Sequence, residues 1–251
     1  MPKETRIALQ FAMRMEAAPT LKLGRFQKVP GFEPSPFGFE FYEGRHLEGH
    51  PLVVGVAGLD PRDQVDSIGT LSAGLLAQEL LTRFRPTLLI NAGTAGGFHS
   101  QGGAIGDVYL GQSPAVFHDR RIHLPGNFPR YGEGHRKVHH DARIAELLGL
   151  KSGIVSTGDS LDCTADDLKH LLRLGASVKE MEAAAIARVC EAYDTPLILL
   201  KAITDIVDSH PELEGISTEE QFLKNYALAV RNLTEKLSLL VSYTFSGAIP
   251  C

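Results

Sequence analysis

The chain has 251 residues with 43% hydrophobic and 22% charged, and Lys+Arg 25 against Asp+Glu 30 gives a net charge of −5. These proportions suit a folded globular protein and exclude a disordered, collagen-like or coiled-coil chain, while about 150 residues per domain leaves room for one large domain or two small ones. A mildly acidic total offers no general attraction for nucleic acid or anionic lipid, so small molecules are the expected partners.

Residues 5–11 (TRIALQF) form a short apolar run, the pattern of a buried strand. Residues 38–43 and 51–55 read as meander strands separated by Gly and Pro. Residues 65–84 place Leu71, Leu75, Leu76, Leu80 and Leu81 at helical spacing, with Pro86 beyond the end. Residues 88–91 read as a strand entering a glycine-rich turn, 106–110 and 115–118 as two further strands, and 135–148 as a helix stopped by Gly149. Residues 154–157, 181–193 and 196–204 continue the alternation as strand, helix and strand. A terminal helix over 217–245 opens with Ser217 and, three residues on, Glu220, a capping box. Alternation of this kind predicts an α/β fold, and without a repeat, low-complexity tract or linker, residues 1–251 are expected to form a single domain.

No apolar run approaches the ~18–20 residues of a membrane span, and the first ten residues lack the plan of a signal peptide; a cytoplasmic protein is expected. Cys163, Cys190 and Cys251 have no paired spacing for disulfides or zinc.

Polar clusters at 12–16, 91–97, 157–162 and 204–208 each follow a predicted strand, where ligands bind in open α/β sheets. The run NAGTAGG at 91–97 departs from a dinucleotide-binding fingerprint, since its glycines lead into a strand and not a helix. GDSL at 158–161 spells an esterase tetrapeptide, but Ser160 and His170 lie about three helical turns apart on one helix-prone stretch, too far for a nucleophile and its base. His135 and His139, spaced four apart near Glu133, lack a third metal ligand and read as a solvated helix face. The stretch KEMEAAAIA at 179–187 opens an apolar helix with two acids; Glu182 faces the same way as Ile186. Lys201 lies inside the apolar strand LILLKAI and needs a buried partner. Asp205, at the end of that strand, is placed for desolvation, which raises a carboxyl toward the range of a general acid.

These blocks, together with FAMRMEAAP at 11–19, DSIGT at 66–70, GDVY at 106–109, FHDRRI at 117–122, STGDSLD at 156–162 and KAITDIVD at 201–208, resemble in residue type and order the nucleoside phosphorylase/hydrolase superfamily. Within it the plant-type 5′-methylthioadenosine nucleosidases are the most similar, over nearly the whole chain. The resemblance implies a three-layer α/β sandwich with a mixed, largely parallel central sheet, and hydrolysis of methylthioadenosine to adenine and 5-methylthioribose, with no metal or organic cofactor. It implies Asp205 as the acid at adenine N7, Glu16 as the carboxylate that activates water, and Glu182 as the ribose-hydroxyl acceptor. Met181 is similar to a ribose-packing residue, Thr94 and Lys201 to residues that hold the water or sugar hydroxyls, Leu161 to an adenine cover, and the main chain of Asp162 to the position that reads the base edge. An acid and a base on opposite faces of the sugar predict inversion.

Two rivals are weighed against this reading. A purine nucleoside phosphorylase would use phosphate, yet Glu16 repels a dianion, leaving only Arg14 in its favour. A non-enzymatic adenosine-binding module would need neither acid nor base. The resemblance also implies a homodimer, with aromatics between 114 and 134 as the expected contact. It leaves S-adenosylhomocysteine open as a second substrate, because residues 209–216 look longer than in the relatives and could cover the 5′ side.

Overall fold

The β1 strand (Ile7–Phe11) is buried on both faces, with Ile7, Leu9 and Phe11 in one apolar cluster and Ala8 in the other. This period-two division is what a strand between two helical layers requires. The computed structural model describes residues 6–31, 35–45, 49–208, 213 and 215–245; Cys251 and most of the 209–216 loop lie outside them. After α1 (Arg14–Leu23), β2 (Arg25–Lys28), β3 (Glu40–Arg45) and β4 (Pro51–Val56) form an antiparallel meander that joins β1 in parallel. Then come α2 (Thr70–Arg83), β5 (Leu88–Gly97), β6 (Val108–Phe117), the short α3 (Phe128–Glu133) and α4 (Ala142–Leu148). The chain continues through β7 (Lys151–Thr157), α5 (Ala165–Arg173), β8 (Ala176–Glu180), α6 (Ala183–Ala192), β9 (Leu197–Ile206) and α7 (Thr218–Tyr243).

The sheet runs β2-β3-β4-β1-β5-β8-β7-β6-β9, and a further β5–β9 pairing brings its last strand back onto its middle. It is mixed: β1–β4, β1–β5, β5–β9, β6–β7 and β7–β8 are parallel, while β5–β8 and β6–β9 join the meander as antiparallel pairs. Helices α2 and α6 bury Leu76, Leu80 and Ile186 against one face, and α1, α4 and α7 bury Ala17, Ile144 and Leu233 against the other. The expected three-layer architecture is therefore the observed one.

Several expected boundaries differ. The helix over 65–84 begins only at Thr70, because Gly69 precedes it at φ 99°, and Leu71 points to solvent. The two strands expected at 106–110 and 115–118 are one, β6, with a register shift between Gln112 and Val116. The helix expected over 135–148 shrinks to α4, whose N-cap Asp141 accepts from the Arg143 amide. His135, at φ 46°, is therefore not on a helix; its ring instead meets Glu133 at 2.9 Å. Strands β2 and β8, both short, carry no apolar run long enough to announce them.

The largest revision concerns residues 91–97, which continue β5 as a strand and make no turn. Their small side chains serve a different purpose. A Cβ at Gly93 would lie 3.3 Å from Glu16 Oε1, and one at Gly96 would lie 2.7 Å from Asp205 Oδ2. Two carboxyl groups are seated directly on this backbone.

Candidate active site

The first of these is Glu16, on the opening turn of α1 and only 2% exposed. Its Oε1 accepts from the Thr94 amide at 2.7 Å and the Thr94 hydroxyl at 2.8 Å, and its Oε2 from the Met13 amide at 3.1 Å. Burial raises its pKa, while the Thr94 and Met13 bonds and the charge of Lys201 oppose that rise. Glu16 is thus desolvated yet supplied with donors that favour its anion.

Asp205 owes its position to a bulge. Ala95 pairs with Ile203 but Gly96 pairs with Asp205, so Thr204 is the extra residue on β9. An extra residue bends a strand and re-aims the side chain beside it. Here Asp205 is left 3% exposed, accepting from the Thr204 hydroxyl at 2.7 Å. Burial raises its pKa, against the opposing pull of Thr204 and Lys179. A desolvated acid of this kind holds its proton further toward neutrality than an exposed one.

Glu182 is the N-cap of α6, and its Oε1 accepts from the Gly69 amide at 2.9 Å. Its pKa rises to about 7, mainly through burial and then through repulsion by Glu180, with Lys201 and Gly69 pulling the other way. Lys201 finds its buried partner in Glu180, at 2.8 Å, both side chains being at most 2% exposed. Burial opposes the charge on Lys201, but Glu180, Glu182 and Glu16 outweigh it and hold its pKa above the usual lysine value. Glu180 also accepts from the Glu182 and Ala183 amides at 3.0 and 2.9 Å and from the Thr157 hydroxyl. It satisfies the buried N–H groups at the start of α6 and neutralises the lysine at once.

Lys179 donates to the carbonyls of Ser160 at 2.7 Å and Leu161 at 2.9 Å, pinning the segment that carries Leu161 and Asp162. Leu161 is 42% exposed, Asp162 is exposed and Met181 is half-buried, so these three border open space. Asp159 caps α2, accepting from the Thr70 amide at 2.7 Å and hydroxyl at 2.6 Å. His118, buried next to Ser156, has its pKa pushed down to about 4 by burial and then by Lys179, so it is neutral. Arg14 is tied to Asp66 through both its amide and its Nε at 3.2 Å.

The fold thus gathers Glu16, Thr94, Glu182, Lys201 and Asp205 around the β5 and β9 ends, with Leu161, Asp162 and Met181 at the rim. Sequence reasoning overlooked Glu180 as the lysine's partner and Lys179 as the clamp. The signal for Glu180 was present in the need for an anion opposite Lys201. Among the described residues no group of three or more His, Cys, Asp or Glu side chains could hold a metal ion.

Comparison with known proteins points the same way. The pattern of the phosphorylase superfamily matches residues 6–242. The chain belongs to that superfamily. Within it the chain is a member of the methylthioadenosine nucleosidase family. It is 36% identical over 233 residues to an Arabidopsis thaliana 5′-methylthioadenosine/S-adenosylhomocysteine nucleosidase, covering 92% of this chain and 89% of that protein. It is 36% identical over 242 residues to an Arabidopsis thaliana 5′-methylthioadenosine nucleosidase, covering 94% and 86%. A solved MTA/SAH nucleosidase superimposes with a TM-score of 0.88 at 34% identity, covering 95% of each chain. That solved nucleosidase thus shares this fold over nearly its whole length.

Proposed function

We propose that the chain hydrolyses the N-glycosidic bond of 5′-methylthioadenosine, releasing adenine and 5-methylthioribose, as the names of its relatives suggest; S-adenosylhomocysteine is the second substrate to test. The observation that carries the proposal is the seating of two desolvated carboxyls on one strand, Glu16 at Thr94 and Asp205 at Gly96. Two residues of strand span roughly 7 Å, enough to hold a sugar carbon and a water between an acid and a base.

In this reading Asp205 is protonated and gives its proton to adenine N7 as the C1′–N9 bond breaks, its electron pair passing to the base. Glu16 takes a proton from the water whose oxygen bonds to C1′. Glu182 in its ionised form accepts from the ribose hydroxyls and stabilises the positive charge that grows on the sugar. Lys201 favours that ionised form, Thr94 orients Glu16, Met181 packs on the ribose, Leu161 covers the adenine, and the Asp162 main chain reads its edge.

Phosphate is disfavoured as the nucleophile because Arg14 already binds Asp66 and the site around Glu16 is acidic. Adenine release from methylthioadenosine at an unchanged rate with phosphate present or absent is expected. Release that requires phosphate would make the chain a phosphorylase, and tight binding without release would leave only a binding module.

Of the aromatics expected at a dimer contact, Phe117 is buried in β6, whereas the exposed Phe128 and Tyr131, with Val65, Ile68, Leu71 and Leu124, support a homodimer. Sedimentation giving twice the chain mass is the expected result. The whole chain acting as one domain in the cytoplasm completes the reading; among the described residues no helix is long and apolar enough to cross a membrane.

A further inference from the structure

The GDSL run at 158–161 leaves its aspartate without a role once Ser160 is set aside as a nucleophile. In the structure that aspartate caps a helix from 89 residues away: Asp159 Oδ1 accepts from the Thr70 amide at 2.7 Å and Oδ2 from the Thr70 hydroxyl at 2.6 Å. Gly69, the N-cap of α2, has no side chain to do this itself. A local Ser, Thr, Asp or Asn is the usual way to satisfy a helix start. That solution is closed here, because Gly69 stands at φ 99° and a Cβ on it would lie 2.8 Å from Asp159 Oδ1.

Two carboxyls from distant elements therefore share the opening amides of α2. The Gly69 amide donates to Glu182 Oε1 at 2.9 Å, and among the described residues it is the one hydrogen-bond donor to that carboxyl. The Thr70 amide, one residue on, donates to Asp159. The segment around Asp159 is itself tied down. The Asp159 amide donates to Asp119 Oδ2 at 2.8 Å, the Gly158 amide donates to the Glu180 carbonyl at 3.0 Å, and Lys179 holds the Ser160 and Leu161 carbonyls. Residues 158–161 are thus fixed to β8, to the residues that follow β6 and, through the Asp159 carboxylate, to the start of α2.

Resting on the nucleosidase reading, we infer that Asp159 is a positioning residue for the reaction: by capping α2 it holds the Gly69 amide on Glu182 and fixes the segment bearing Leu161 and Asp162 relative to that carboxyl. Asp159 touches no reacting atom and transfers no proton. It acts through Glu182, whose anion the Gly69 hydrogen bond favours. When the cap is removed, the start of α2 loosens, the Gly69 bond weakens and Glu182 keeps its proton to higher pH. The other charges that act on Glu182 are Glu180, Lys201 and Glu16, on β8, β9 and α1, and all three remain in the variants below. Asp159 is exposed, so water and salt screen its own charge, and its accepting oxygens matter more.

The test compares Asp159→Ala with Asp159→Asn, reading kcat/KM for methylthioadenosine across pH. Both remove the charge, but Asn keeps an acceptor and caps a helix as well as Asp does. In the Ala variant the acid limb, where Glu182 takes up its proton, should move up by about one pH unit and lower kcat/KM about tenfold on that side, while the alkaline limb set by Asp205 stays in place. The Asn variant should keep the wild-type profile. An unmoved acid limb in the Ala variant overturns the inference even if its melting temperature falls, because a merely structural cap would cost stability and leave the limb alone. A limb that moves equally in both variants also overturns it, since charge and not the hydrogen bond would then be responsible. If Ala impairs folding, Thr70→Val removes the hydroxyl half of the contact with the Asp159 charge intact; a smaller upward movement of the same limb is expected, and no movement overturns the inference. Wild-type protein that releases no adenine would instead overturn the underlying reading of the site, an outcome separate from the comparison of variants.

Discussion

Replacing Asp205 by Asn isolates the proton from everything else the side chain does. The amide keeps an oxygen for the Thr204 hydroxyl at 2.7 Å and fits the same 3% exposed space beside Gly96, so only the transferable proton is lost. General acid catalysis contributes about 10²–10⁴ in rate, which at ~1.36 kcal/mol per decade is about 2.7–5.4 kcal/mol of barrier. The folded-state pKa of Asp205 is raised, so ionising it opposes folding, and that cost grows as pH rises above the ordinary Asp value. Asn removes the cost, and the melting temperature near neutral pH should be unchanged or higher. Adenine release from methylthioadenosine, followed by chromatography across pH, is the assay. Wild-type activity should fall as pH rises through the raised pKa of Asp205, and the residual activity of the Asp205→Asn variant should lack that limb. A variant within tenfold of wild type, or one that keeps the alkaline limb, would refute the role of Asp205 as acid.

Two further predictions concern the buried charges. Lys201→Met leaves Glu180 unpaired in the core, and should cost about 3–5 kcal/mol in chemical denaturation; adding Glu180→Gln should recover part of it, and a single variant as stable as wild type would refute the pairing as a structural need. His118 is neutral when folded, with a pKa of about 4 against an ordinary 6.5, so its contribution is complete above 6.5 and is lost as pH falls toward 4, at most roughly 3 kcal/mol. Denaturant titrations from pH 7 to 4 should be flatter for His118→Gln than for wild type; equal slopes would show that His118 does not carry this acid sensitivity.

What was legible in the sequence was what periodicity, capping and burial record locally. The apolar runs of β1 and β9 had to be buried strands, and Ser217 with Glu220 had to open α7, its hydroxyl accepting from the Glu220 amide at 3.2 Å. The apolar setting of Lys201 required an anion, and the family pattern led to Asp205, Glu16 and Glu182. The sequence could not say that the anion was Glu180, because that pairing joins β8 to β9 across the closed part of the sheet.

Tertiary structure alone decided the rest, for one physical reason. A glycine or small residue reads locally as a turn, but here its absent side chain is space taken by a carboxyl from elsewhere in the chain. Residues 91–97 form a strand because β1, β8 and β9 supply its hydrogen bonds, and Gly93 and Gly96 lack side chains where Glu16 and Asp205 lie against them. The bulge at Thr204 likewise depends on contacts between distant elements, which no local spacing can express.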